Sequence, residues 1–117
     1  MKKPISDPPA CSTNLLAMND TLDILGGKWK LLILHYLIQR QDISNTFKKM
    51  ERDITGISAK MLSKDLEANK LVHREVKDTK PVTVEYSITK YGESTKEIIN
   101  VLVDWGKLHR KEIMQED

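Results

Sequence analysis

The hydrophobic period of this chain changes at Leu71, and that change limits the folds open to it. Up to Asn69 the apolar residues recur at helical spacing; from Leu71 they alternate in two short runs, and helical spacing returns after Thr89. In the first run Leu71, His73, Glu75 and Lys77 share one face and Val72, Arg74 and Val76 the other. The second, Val82-Thr83-Val84-Glu85-Tyr86-Ser87-Ile88, alternates again and is rich in β-branched residues. Lys77-Asp78-Thr79-Lys80-Pro81 between them reads as a turn, so the pair is a hairpin with a basic tip beside Arg74.

Directly upstream stands Gly56-Ile57-Ser58-Ala59-Lys60-Met61-Leu62-Ser63-Lys64, a turn, a cap and a helix. Gly56 gives a permissive turn, and the Ser58 hydroxyl can accept from a backbone N–H one turn on, so the helix is predicted to start at Ala59. Ile57, Met61, Leu62 and Leu66 cluster toward a core, leaving Ser58, Ala59, Lys60, Ser63 and Lys64 outward. The two lysines stand at i,i+4 with no carboxylate between them, among side chains short enough for close approach to a duplex. The plain alternative is a solvated helix face. Residues 47–54 form a short helix ahead of it, with Phe47, Met50 and Ile54 inward. A helix-turn-helix followed at once by a basic hairpin is a winged helix: a mainly α fold with a small β-hairpin wing.

The flanking segments are helical too. From Ser12 or Thr13, Leu15, Met18, Leu22 and Leu25 recur until Gly26-Gly27 stops the helix. Residues 28–38 form a central helix with Trp29, Leu32, Ile33, Tyr36 and Leu37 as its stripe, and residues 39–46 read as a polar loop. Thr89 caps a last helix over residues 90–112, where Tyr91, Thr95, Ile98, Leu102 and Trp105 make one stripe and Ile99, Val101, Val103 and Leu108 broaden it. So wide an apolar surface in so small a domain predicts a dimer through the first and last helices, with Leu15, Met18, Leu22, Ile98, Leu102 and Trp105 in the interface.

At 117 residues the chain is one domain, expected as a flexible arm over residues 1–11 and a winged-helix unit over 12–117. Its net charge of +2 hides a gradient: residues 28–80 carry twelve Lys or Arg against seven Asp or Glu, and both flanks are acidic. The basic excess thus coincides with the helix-turn-helix and hairpin, as a phosphate-binding footprint requires. His35, His73 and His109 are isolated, and no Gly-rich phosphate loop, nucleophile triad or metal-ligand spacing accompanies them, so neither an enzyme nor a cofactor is expected. No signal peptide or apolar span is legible, which places the chain in the cytoplasm, away from membranes. Its one cysteine, Cys11, suits a reducing compartment.

Leu25-Gly26-Gly27-Lys28-Trp29-Lys30, Gly56-Ile57-Ser58-Ala59-Lys60-Met61-Leu62, Val84-Glu85-Tyr86-Ser87-Ile88-Thr89 and Asp104-Trp105-Gly106 closely resemble, in order, signature stretches of the HxlR-type winged helix-turn-helix regulators. The resemblance implies a prokaryotic, MarR-like transcription regulator, homodimeric on a palindromic double-stranded DNA operator. Ser58, Ala59, Lys60, Ser63 and Lys64 would then read the major groove. Arg74, Lys77 and Lys80 would track the backbone or minor groove, with phosphate contacts added by Lys28 and Lys30 at a helix N-terminus. Some members of the family sense oxidants or electrophiles through one N-terminal cysteine, which makes Cys11 a candidate sensor against the alternative of an inert thiol. A small-molecule effector between the long helices is a further expectation, and a winged-helix protein-interaction module without DNA binding is the competing function. The chain departs from the family pattern twice: the loop before Phe47 is about three residues longer, and the stretch between Lys64 and Leu71 is about three shorter, equivalent to about 300° of helix rotation.

Overall fold

A computed structural model describes residues 9–115, with side chains from residue 12 onward. The elements are α1 (Pro9–Leu25), α2 (Lys30–Gln39), α3 (Phe47–Asp53), α4, β1 (Val72–Lys77), β2 (Thr83–Ile88), a 3₁₀ turn (Gly92–Thr95) and α5 (Lys96–Met114). Helix α4 opens as an α-helix over Ala59–Met61 and continues without a break as a π-helix over Leu62–Glu67. This is the mainly helical winged-helix arrangement expected, with β1 and β2 as its antiparallel wing.

The core is built around α2. Ile33, Leu34, Leu37 and Ile38 are buried against Met50 of α3, Leu62 and Leu66 of α4, Leu71, Val72 and Tyr86 of the wing base, and Ile99 of α5. Each such aliphatic side chain removed from water stabilises the fold by about 1.5–3 kcal/mol. The stripe expected on α2 is corrected: Leu32 is 48% exposed, Trp29 and Tyr36 are half-buried, and Leu34 and Ile38 take the inward places. Helix α2 packs on both β2 and α5, and those contacts select the face.

Side-chain caps set the other boundaries. The Thr46 hydroxyl accepts from Lys49 N–H (3.2 Å) at the start of α3, and the Ser58 hydroxyl accepts from Met61 N–H (3.2 Å) at the start of α4. Thr89 Oγ1 accepts from Gly92 N–H (2.8 Å) and donates to the Lys70 carbonyl (2.7 Å), tying the wing's exit to the end of α4. Helix α1 begins at Pro9, ahead of the Ser12 and Thr13 caps read from the sequence; proline's fixed φ suits a first helical turn. Of the arm expected over residues 1–11, residues 1–8 lie outside the described residues.

Candidate nucleic-acid interface

The second helix of the helix-turn-helix is anchored before it begins. Gly56 has φ +97°, and a Cβ there would stand 2.8 Å from Cζ2 of Trp29, so the turn needs glycine both for its backbone and for the indole above it. Trp29 thereby locks the start of α2 onto the turn between α3 and α4. Ile57, Leu62 and Leu66 are buried and Met61 is half-buried. Ser58, Ala59, Lys60 and Lys64 are exposed and Ser63 is half-buried, so α4 turns outward the surface read from the sequence. Lys70, at φ 65°, ends the helical segment in the left-handed region.

The wing pairs in the register Val72↔Ile88, Arg74↔Tyr86, Val76↔Val84 on one face and His73↔Ser87, Glu75↔Glu85, Lys77↔Thr83 on the other. Arg74 and Lys80 are exposed, whereas half-buried Lys77 is paired with Glu75 at 3.5 Å. The tip is fixed by Thr79, whose N–H donates to the Lys77 carbonyl (2.9 Å) and whose hydroxyl donates to the Pro81 carbonyl (2.7 Å). Lys28 and Lys30 are held more closely than the sequence implied. Helix α2 starts at Lys30, so Lys28 lies ahead of it with Nζ 4.8 Å from the Trp29 ring centroid, and Lys30 Nζ donates to the Asp23 carbonyl (3.2 Å).

Two features have no counterpart in the sequence reading. The loop 40–46 is not simply solvated: Thr46 bridges to Glu85, and Tyr86 N–H donates to the Asn45 carbonyl (2.9 Å), so the loop's end lies along β2. The only local signal is Thr46 itself, a cap residue directly before Phe47. Tyr36 on α2 donates its hydroxyl to Asp53 Oδ2 (2.7 Å) at the end of α3, with Arg40 over the Tyr36 ring and Arg52 beside Asp53. Burial, then the hydrogen bond to Asp53, push the Tyr36 phenol above its ordinary range. The same hydrogen bond, with help from Arg52, holds the Asp53 carboxyl below its own.

Leu15, Met18 and Leu22 of α1 and Ile98, Leu102 and Trp105 of α5 are all exposed. Thr95, at the end of the 3₁₀ turn, and Ile99 of α5 face inward, and the broader part of the apolar surface of α5 is uncovered. An apolar groove of about 410 Å³ runs between α1 and α5, lined by Met18, Leu22, Leu25, Leu31, Ile98 and Leu102 among others. Cys11 lies in α1, its side chain outside the described residues. Among the described residues no helix is long and apolar enough to cross a membrane, and no three His, Cys, Asp or Glu side chains are grouped to hold a metal ion.

Residues 24–114 match the HxlR-like helix-turn-helix family. The HTH-type transcriptional regulator YdeP of Bacillus subtilis is 38% identical over 93 residues, spanning 80% of this chain and 73% of the relative. Among solved structures, the HTH-type transcriptional regulator YtcD of Bacillus subtilis superposes with a TM-score of 0.70 at 33% identity, over 80% of this chain and 96% of that one. The redox regulator HypR in its reduced form gives a TM-score of 0.70 at 33% identity, over 86% and 99% of the two chains. The cap-anchored α4, the wing behind it and these likenesses agree: the chain belongs to the HxlR-like helix-turn-helix family of transcriptional regulators.

Proposed function

We propose that this chain is a sequence-specific DNA-binding regulator that acts as a homodimer, with α4 in the major groove and the wing on the backbone or in the minor groove. The observation that carries the reading is α4 itself. Leu62 and Leu66 are wholly buried beneath it, while Ser58, Ala59, Lys60 and Lys64 face out on the side chains' short or flexible ends. Lys60 and Lys64 divide between guanine edges and phosphates, and Ser58, Ala59 and Ser63 permit close approach to the bases. Arg74, Lys77 and Lys80 supply backbone contacts, with Lys28 and Lys30 at the margin.

The exposed apolar faces of α1 and α5 support dimerisation. The radius of gyration is 18.7 Å, against about 13 Å for a compact domain of this length, so the long helices extend well beyond the core they leave uncovered. A second copy seated there would bury Leu15, Met18, Leu22, Ile98, Leu102 and Trp105 and set two α4 helices on one face, about 34 Å apart for a palindromic operator. Cys11, close to that surface in sequence, is a candidate redox or electrophile sensor; the likeness to HypR, itself a redox regulator, supports this. An effector bound between α1 and α5 would share this groove with the proposed dimer contact, since Met18, Leu22, Ile98 and Leu102 line both.

A mobility-shift assay on labelled DNA from the protein's own promoter, with and without unlabelled competitor, tests the reading. A shift that specific competitor removes before non-specific DNA does is expected. No shift at 50 mM salt would turn the reading toward a protein-interaction module. Diamide treatment should alter operator affinity or non-reducing gel mobility if Cys11 senses oxidants, and alter neither if it is inert.

A further inference from the structure

We propose that Asn45 is a positioning residue that sets the wing's orientation relative to α4, a role that rests on the DNA-binding reading above. Asn45 is 3% exposed, in a loop whose other polar residues mostly face water. Its side-chain amide donates to the carbonyls of Arg40 (3.0 Å) and Ile43 (3.0 Å), and its Oδ1 accepts from Arg40 Nε (3.0 Å). Both N–H groups and one lone pair are thus engaged within its own loop. That closure holds the backbone of residue 45 in place, and the backbone carbonyl accepts from Tyr86 N–H in β2.

The next residue extends the link. Thr46 bridges to Glu85 and caps α3, so β2 and the first helix of the helix-turn-helix hang on one dipeptide. Arg40, gripped by Asn45, lies 4.9 Å from the Tyr36 ring centroid, and Tyr36 is bonded to Asp53 just before the turn into α4. A two-stranded hairpin has little rigidity of its own. Along β2 the loop end is the added strand-like partner, so it decides where Lys80 at the wing tip stands when α4 enters the groove.

Double-mutant cycles on the full chain, read as affinity for a labelled promoter duplex at 0.1 M salt, test this. In the otherwise unaltered chain Lys80→Ala should weaken binding about eightfold, the counterion-release factor for one neutralised phosphate. In an Asn45→Ala background the same change should cost less than twofold, because the tip no longer reaches the backbone. Lys60→Ala on α4 should cost the same in both backgrounds. A Lys80→Ala loss that is undiminished by Asn45→Ala, or absent from the outset, overturns the proposal. Should Asn45→Ala not fold, Asn45→Ser carries the same cycle.

Amide exchange on the free protein supplies the second readout. Exchange at Tyr86 N–H should quicken at least tenfold in Asn45→Ala while that at Leu62 N–H, bonded to the Ser58 carbonyl, is unchanged. Equal acceleration at both amides would mark Asn45 as a general stabiliser and overturn the positioning role. If the unaltered chain binds no DNA, the DNA reading falls by itself, and the exchange result alone judges whether Asn45 orients the wing.

Discussion

Replacing Gly56 by alanine separates two effects that share one position. The first is backbone strain: at φ +97° an L residue costs about 1–3 kcal/mol, offset by about 0.4–1 kcal/mol because alanine also narrows the unfolded ensemble. The second is the indole. The new Cβ would lie 2.8 Å from Cζ2 and 3.0 Å from Cη2 of Trp29, and overpacking of that kind costs about 1–3 kcal/mol. Gly27 is the internal control, because its φ is +99° but a Cβ there meets nothing within 4 Å. Gly27→Ala should therefore cost about 0.5–2 kcal/mol from strain alone, and Gly56→Ala about 1–3 kcal/mol more. With a urea m-value near 1.5 kcal/mol/M, that excess moves the unfolding midpoint down by about 0.7–2 M relative to Gly27→Ala. Protein concentration must be held constant, because the stability of the proposed dimer would depend on it. Equal midpoints for the two variants would show that Trp29 does not brace the turn or tie the start of α2 to α4.

Ser58→Ala should cost about 1 kcal/mol of stability by freeing Met61 N–H, measured by the same urea titration, and should also fray the end of α4 proposed to meet DNA. Leu102→Glu, which places a charge on the uncovered face of α5, should lower the sedimentation mass from twice the 13.5 kDa chain mass to the chain mass, leaving the helical circular dichroism unchanged. Tyr36→Phe should return the Asp53 carboxyl upward toward 3.8, seen by carbon-detected NMR titration. The sign follows from the shifts: depressed Asp53 adds stability above pH 3.8 that is lost as pH falls through its folded value, and raised Tyr36 adds stability below pH 10.0 that is lost as pH rises through its own. The stability gap between the unaltered chain and Tyr36→Phe should therefore be flat at neutral pH and close at both extremes.

The helix-turn-helix and wing were legible in the sequence because their signals are local. Ser58 caps the helix it precedes, Thr89 caps the segment after the wing, and strand alternation needs only neighbouring residues to be seen. The face of α2 was not legible, for a different physical reason. Lys30–Gln39 is apolar on nearly every side, so periodicity selects no inward stripe, and the packing of β2 and α5 makes the choice. Asn45 escaped notice because a buried asparagine in a polar run looks like a solvated one until the distant Tyr86 amide arrives beside it.

The stretch after Lys64 keeps its apolar residues in the core through a change of helix geometry. Five residues separate Leu66 from Leu71, and in a continuous α-helix they would point about 140° apart, sending one of them to water. Both are buried. The chain achieves this by closing wider turns, with Ala68 N–H donating to the Ser63 carbonyl (3.2 Å) and Leu71 N–H to that of Leu66 (3.0 Å), and by reversing at Lys70 with φ 65°. The first bond closes the π-helix, a geometry often found at functional positions, whereas the second, with Lys70 N–H donating to the Glu67 carbonyl (2.9 Å), is the Schellman cap that ends the helix. The cost falls on the outer face: Ser63 is drawn half inward while Lys64 stays exposed. Under the proposed DNA-binding function, base contacts are expected to concentrate on Ser58, Ala59 and Lys60, where the helix is regular. Lys64, inside the widened π segment, is proposed as a phosphate contact, so Lys64→Ala should weaken operator and non-specific DNA alike while Lys60→Ala erodes the difference between them.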